Sequence, residues 1–319
     1  MLQLRSWRVH APRSSRAPYE KHIAELGRLV EKAFAAWDAP AIAKRYALDM
    51  LADQAVPGVA LVVAFGLALG STPRHAPPPC PEPVPLADLL VKPGSTVVFG
   101  EIHGTREIPV AFGAIACHAA NSLIVGLEIS RDEQPRLDRY LASDGGREAR
   151  ADLLAGSHWR IHDGRSSEAM LALIEQLRTW HVPIVAFDVD DGFYDHNGRE
   201  QGMTVPLIAA RRAHPDAAII VLTGNLHARL AGSAAFPGVE FMAQRLHQSI
   251  PHVTAIDTAY GRGTAWMCTT RCGIHDVGTG DDPGPTRITR DSVWNDADQI
   301  VFQGHLHVGA VSASLPARD

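Results

Sequence analysis

Four short apolar runs, rich in valine, isoleucine and leucine, constrain the fold of this 319-residue chain more than any other feature. None of them alternates with polar residues, and such runs are typical of parallel strands that are covered on both faces. The four predicted strands span residues 96–99, 122–127, 182–187 and 218–222.

Helical patterns lie between these runs, at residues 132–141, 166–180 and 205–213. Ser130 and Glu133 have the spacing of a capping box at the start of the first pattern. Alternating strands and helices predict an α/β domain with a largely parallel β-sheet flanked by helices. Residues 239–316 are less regular, and we expect them to add edge strands.

The first part of the chain differs from the rest and predicts a different organisation. Residues 1–55 are basic at their start and then helical in pattern, residues 56–85 contain an apolar run and a proline-rich linker, and the α/β domain spans 86–319. The apolar run at 56–70 is shorter than the roughly 20 residues that cross a membrane, but it has the length of a signal-peptide core. We therefore expect an exported or membrane-anchored protein of the cell envelope, with translation from Met50 as one explanation of the position. A buried helix in a cytoplasmic protein is the alternative.

Composition excludes one class of partner. The net charge is −5, with no block of like charges, so we expect no nucleic acid partner, since phosphate binding needs a concentrated basic face.

Of the four cysteines, Cys268 and Cys272 are close enough for a local disulfide, and we expect Cys80 and Cys117 to be free thiols. Half of a metal site is the alternative for Cys268 and Cys272.

Ionisable side chains follow all four predicted strands. Ligands of open parallel sheets bind beyond the carboxyl ends of the strands, where these side chains should meet. A carboxylate is unfavourable to bury alone, so several together indicate a shared site. The residues are Glu101 and His103 after the first strand, Glu128 after the second, Asp188 after the third and His227 after the fourth.

These residues support two kinds of chemistry. His103, His227, Glu128 and Asp188 offer donors for a divalent metal. Without a metal, Glu101, His103, Glu128 and His227 form a candidate catalytic set in which a histidine held by a carboxylate is a general base. Weaker candidates for the same cleft are Asp190, Arg199 and Glu200. The Gly-x-x-His spacing of the turns at 100–103 and 224–227 occurs a third time at 304–307, which is a further weak candidate.

Three motifs give the chain a family resemblance over residues 90–260. Gly-Glu-Ile-His-Gly-Thr at 100–105, Gly-Leu-Glu-Ile at 126–129 and Thr-Gly-Asn-Leu-His at 223–227 resemble the superfamily that joins erythromycin esterases, ChaN haem-binding lipoproteins and Tiki metalloproteases. The resemblance implies metal ligation by His103 and His227 in the Tiki branch. It implies a water-activating base at His103, beside Glu101 and Glu128, in the esterase branch, and haem binding in the ChaN branch. The segment 268–273 matches none of the branches, so the resemblance does not carry over a substrate.

Two functions follow as hypotheses, and a third is less favoured. The first is a hydrolase that attacks a small-molecule ester, lactone or amide with water activated by His103 or by a bound metal. The second is a non-catalytic haem- or metal-binding protein of the cell envelope, with His103 or Tyr260 as axial haem ligand. The third is an inactive interaction module, against which the presence of the catalytic set argues.

Overall fold

The computed structural model describes residues 79–189, 195–281 and 284–318. The predicted segments 1–55 and 56–70, together with Asp190, lie outside these residues. Within the described ranges, no helix is both long enough and apolar enough to cross a membrane.

A seven-stranded sheet forms the centre of the domain, in the order β3-β2-β4-β1-β5-β11-β8. Six strands run parallel, and β8 at one edge pairs antiparallel with β11. The sheet strands are β1 Thr96–Glu101, β2 Leu123–Ser130, β3 Ile184–Asp188, β4 Ala218–Gly224, β5 Val253–Ala259, β8 Arg287–Thr289 and β11 His305–His307. The fold class predicted from the sequence is therefore confirmed.

Helices flank this sheet, and two small hairpin sheets lie outside it. The helices are α1 Ala87–Leu90, α2 Glu107–Ala119, α3 Gln134–Ala142, α4 Arg147–Leu154, α5 Ser157–Arg160, α6 Glu168–Thr179, α7 His196–Ala213 and α8 Met242–Ser249. The hairpin sheets pair β6 Gly263–Cys268 with β7 Cys272–Val277, and β9 Val293–Trp294 with β10 Ile300–Phe302.

All four apolar runs form strands, and each of them extends into the polar residues that follow. In β1 and β4 the parallel pairing continues as far as Glu101 opposite Gly224, and both strands are buried along their whole length. Because β2 is also buried to its last residue, Ser130, the ends of these strands bring ionisable groups out of solvent. The site therefore lies at this end of the strands.

Helix α7 begins nine residues before the predicted start at 205. The side chain of Asp195 caps it by accepting a hydrogen bond from the backbone N–H of Asn197 at 3.1 Å. The pattern of the first turns is polar and contains two glycines, so apolar periodicity alone detects only the last half of the helix. The earlier start brings Arg199 and Glu200 into the helix.

The predicted capping box at Ser130 and Glu133 is wrong. The side chain of Ser130 makes no capping hydrogen bond. Glu133 is buried and accepts hydrogen bonds from Ser157 Oγ at 2.8 Å and from the backbone N–H of His158 at 3.3 Å. The carboxylate thus joins the start of α5 to the start of α3 instead of capping its own turn.

Two disulfides are present among the described residues, and one of them joins cysteines that were expected to be free. Cys268 and Cys272 form the expected local bridge, which closes the β6–β7 hairpin. Cys80 and Cys117, expected as free thiols, form a second bridge. The carbonyl of Pro81 also lies 2.8 Å from His118 Nε2. The described end of the predicted linker is therefore attached to α2.

Candidate active site

The predicted site residues meet at the carboxyl ends of four adjacent strands, β3, β2, β4 and β1. They line a cavity of about 640 Å³. The described residues that line it are Glu101, Ile102, His103, Glu128, Asp163, Gly164, Arg165, Asp188, Val189, Arg199, Gly224, Asn225, Leu226, His227, Met267 and Cys268.

His103 forms the first of two Glu–His pairs in the cavity. Its Nδ1 atom lies 2.9 Å from Glu101 Oε1, and its Nε2 atom lies 3.5 Å from Glu128 Oε2. The chain turns away at Gly104, whose φ of +77° belongs to the left-handed region that favours glycine. The carboxylate of Glu101 thus orients the ring so that Nε2 faces Glu128.

His227 forms the second pair with the same arrangement. Its Nδ1 atom lies 2.6 Å from Glu200 Oε1, and its Nε2 atom lies 3.8 Å from Glu128 Oε1. The other oxygen of Glu200 accepts a hydrogen bond from the backbone N–H of Met242 at 2.7 Å. Glu200 is therefore held by α8 while it orients His227.

Glu128 lies between the two imidazoles and is buried. Its Oε2 atom accepts hydrogen bonds from Thr223 Oγ1 and from the Gly224 N–H, both at 2.7 Å. Burial by itself raises the pKa of Glu128, but the positive charge of His103, its hydrogen bond to Glu128 and the positive charge of Arg165 outweigh burial and hold this pKa well below its usual range. Glu128 is therefore a fixed negative charge at the centre of the site.

His103 carries a proton at neutral pH. Burial alone lowers its pKa, but the carboxylate charge of Glu128 and the hydrogen bond to Glu101 raise it from 6.5 to about 10. Burial raises the pKa of Glu101, and the hydrogen bond to His103 opposes this increase. In the free site His103 is thus a proton donor, whereas the sequence motifs predicted that His103 is a base.

Two arginines and two aspartates complete the cavity. Arg165 Nη1 lies 2.6 Å from Asp188 Oδ2, and Arg165 Nη2 lies 2.7 Å from Asp163 Oδ2. Arg199 contacts Asp188 at 2.9 Å and Glu128 at 3.1 Å. Sequence reasoning included Asp188 and weakly Arg199, but it missed Asp163 and Arg165, which lie at a short 3₁₀ turn, Gly164–Ser166, and follow no strand.

The geometry does not fit a metal ion held by His103, His227, Glu128 and Asp188. Arg199 contacts Asp188 and Glu128 and also lies 3.2 Å from His227 Nε2, so a guanidinium group occupies the position between three of the four expected ligands. Among the described residues, the ligand atoms of these four side chains do not form a group in which all atoms lie within 4.8 Å of one another.

The cavity also lacks the character of a haem pocket. Haem needs wide apolar walls, whereas the described lining contains four carboxylates, two guanidinium groups and two imidazoles. Tyr260, the other expected axial ligand, is not part of this lining. The third Gly-x-x-His element, at 304–307, also lies outside it, because β5 separates β11 from β1.

Comparison with known proteins supports the fold. No family model matches the chain, and none of the curated proteins matches it. A solved structure of a succinoglycan biosynthesis protein superimposes with a TM-score of 0.55 at 11% identity, covering 76% of this chain and 96% of that one. Two weaker likenesses, each with a TM-score of 0.47, are a Bacillus cereus protein (13% identity; 73% and 93% covered) and an erythromycin esterase mutant (12%; 72% and 93%). At 11% identity the first of these likenesses shows a shared fold and nothing beyond the fold.

Proposed function

We propose that this chain is a hydrolase that cleaves a neutral ester, lactone or amide. The observation that supports the proposal is the pairing of two Glu–His dyads in one cavity, each with Nε2 facing the shared Glu128. A histidine oriented through Nδ1 by a carboxylate is the usual device for proton transfer to or from a reacting group. Two such histidines at one site can transfer both protons that a hydrolysis requires.

The hydrogen bonds favour different roles for the two histidines. Arg199 always donates, so its contact with His227 Nε2 leaves that nitrogen as an acceptor, and the Nδ1–H then donates to Glu200. His227 is therefore the candidate base and His103, which is already protonated, the candidate acid.

Each turnover adds one proton at His227 and removes one at His103, and proton exchange with solvent then restores both imidazoles. Water takes the place of the Arg199 N–H at His227 Nε2, attacks the carbonyl carbon and gives a proton to that nitrogen. The bond from the carbonyl carbon to the leaving oxygen or nitrogen breaks, and that atom takes a proton from His103 Nε2. Glu128, which faces both imidazoles, stabilises the positive charge as it passes from His103 to His227.

The charges of the cavity favour a neutral substrate. Its described lining has four carboxylates against two guanidinium groups and the protonated His103, which leaves one net negative charge. The two arginines are already paired with Asp188, Asp163 and Glu128. An anionic substrate would meet carboxylates that no free cation in the described lining offsets.

The test is hydrolysis of a panel of chromogenic esters, lactones and anilides by wild type, His103→Ala and His227→Ala, with His247→Ala on an exposed turn of α8 as control. We expect kcat/KM to fall by about 100-fold or more in both site variants and to stay unchanged in the control, since a positioned acid or base contributes about 10²–10⁴-fold. A folded His103→Ala protein with wild-type activity would refute the proposal. Absence of turnover, with a Soret band on adding stoichiometric haemin, would support the haem-binding alternative.

We also propose that the domain works in an oxidising compartment, as a protein of the cell envelope. Two disulfides support this location, because disulfides persist in secreted and periplasmic proteins and are rare in the cytosol. Cell fractionation followed by thiol labelling under denaturing conditions tests the proposal. The expected result is protein in the envelope fraction with all four cysteines protected, and labelled protein in the cytosol would contradict it.

A further inference from the structure

Two histidines and an aspartate form a cluster at the β11 and β8 side of the sheet, away from the cavity. His305 and His307 are two residues apart on β11, so their side chains share one face of the strand. Asp291 follows the antiparallel β8, two residues beyond Thr289, which pairs with His305, so the same face continues to it. One ligand atom of each residue lies within 4.8 Å of the other two.

We propose that Asp291, His305 and His307 bind a divalent transition metal ion such as Zn²⁺. Two imidazoles and one carboxylate are a ligand set that zinc and related ions prefer, with water at the remaining position. Among residues 79–189, 195–281 and 284–318, this is the group of three or more such side chains that is close enough to share an ion. None of the three lines the cavity, so the site is separate from the proposed catalytic one.

Hydrogen bonds already orient the two histidine rings of this cluster. His305 Nδ1 lies 3.1 Å from Asp291 Oδ2, and His307 Nε2 lies 3.0 Å from Thr289 Oγ1. The Nδ1 atom of His307 is buried and has no hydrogen-bond partner among the described residues. Metal-bound histidines typically use one ring nitrogen for the ion and the other for a fixed neighbour, as Thr289 is here.

Only a small adjustment separates this cluster from a tetrahedral site. Ligand atoms around a tetrahedral zinc lie about 3.3 Å apart, since each bond is about 2.0–2.1 Å. The histidines are on a rigid strand, whereas Asp291 is outside the strands, between β8 and β9, and its side chain is 63% exposed. Rotation of the imidazoles together with movement of this carboxylate can close the site, because the three ligand atoms already lie within 4.8 Å of one another. The ion would then fix the loop after β8 to β11.

Zn²⁺ titration of the tag-free, chelator-treated protein, followed by calorimetry, tests the site. We expect one saturable site, and we expect Asp291→Asn and His305→Ala each to weaken Zn²⁺ affinity by more than about 100-fold, because loss of even an outer partner typically weakens binding 10- to 100-fold. His275→Ala, on the β6–β7 hairpin, is the matched histidine control and should bind as wild type does.

A double variant in the cavity tests whether the Zn²⁺ site is separate from it. His103→Ala combined with His227→Ala should keep the stoichiometric Zn²⁺ site, whatever happens to hydrolysis. Asp291 is exposed, so Asp291→Asn is expected to fold, which circular dichroism verifies, and it keeps the test valid if His305→Ala unfolds. The proposal is overturned if wild type shows no saturable Zn²⁺ binding, if Asp291→Asn binds normally, or if the ion is lost with His103 and His227 instead.

Discussion

Glu200 Oε1 lies 2.6 Å from Nδ1 of His227 and reproduces, from a helix 27 residues away in sequence, the contact that Glu101 makes with His103 two residues away. The two Gly-x-x-His turns thus obtain equivalent partners by different routes. In the first, one strand end supplies both residues. In the second, α7 supplies the carboxylate and the turn after β4 supplies the histidine, so the arrangement depends on how α7 packs against the sheet.

The first prediction concerns this partner of His227. Glu200→Gln keeps the shape of the side chain and can still accept from the Met242 N–H, but it removes the negative charge that stabilises a protonated His227. We expect kcat to fall by about 100-fold with KM little changed, because the charge is needed only when the proton has moved. Steady-state kinetics on the best ester of the panel measures the change.

Glu240→Gln is the control for this prediction, since Glu240 is half exposed and forms an ion pair with Arg245 at 3.3 Å, outside the cavity. If Glu200 had only a structural role, Glu200→Gln would lower the melting temperature, and kcat would not fall selectively while KM stayed constant. Wild-type kcat in a folded Glu200→Gln protein would contradict the assignment of His227 as a base.

The second prediction concerns the proton of His103. Its pKa is raised from 6.5 to about 10, so the folded protein keeps a proton that the unfolded chain releases. The stabilisation from this group is complete below about pH 6.5 and is lost as the pH rises to about 10. Activity that needs His103 as acid should persist through neutral pH and decline toward pH 10.

NMR titration of the His103 ring, assigned by comparison with His103→Ala, tests the raised pKa directly. Glu128→Gln removes the carboxylate charge that does most to raise this pKa, so the ring should titrate at lower pH in that variant. A wild-type His103 that titrates near pH 6.5 would show that the resting ring is neutral, and the proposed acid and base would then have to be exchanged.

The third prediction concerns the space around His103 Nε2. A Cβ atom added at Gly224 would lie 2.9 Å from His103 Nε2, while its φ lies outside the left-handed region. Gly224→Ala should therefore displace the imidazole without straining the backbone, and misplacement by about 1 Å can lower a rate about 100-fold. Gly232→Ala, where an added Cβ meets nothing within 4 Å, is the matched control and should keep wild-type kcat/KM. Equal activity in the two variants would exclude a reacting role for His103.

Much of the fold and part of the site could be predicted because they depend on local sequence. A buried parallel strand is a continuous apolar run, and its carboxyl end fixes where Glu101, Glu128 and Asp188 lie. The rest depends on contacts between distant segments. Arg165 lies at a short turn with no periodicity, and Glu200 lies in a polar helix start that apolar spacing does not reveal.

The failed capping box has the same cause. The spacing from Ser130 to Glu133 is that of a cap, but the energetic gain of a cap is about 0.5–2 kcal/mol, and tertiary contacts of a buried carboxylate can exceed it. Glu133 receives hydrogen bonds from Ser157 and His158, which no local pattern can anticipate.

The last prediction compares the two disulfides. The Cys80–Cys117 bridge spans 37 residues and joins the segment before α1 to α2, whereas Cys268–Cys272 spans four residues within one hairpin. In the chain-entropy model, replacing both cysteines of a pair by serine lowers the free energy of unfolding by about 4 kcal/mol for the long loop and about 2 kcal/mol for the short one. Urea denaturation of the two double variants measures both values. Because Cys268 lines the cavity, its variant should also alter kcat/KM, whereas the Cys80 and Cys117 variant should change stability alone. A larger loss of stability in the hairpin variant would show that the hairpin disulfide, rather than closure of the long loop, contributes more to the stability of the domain.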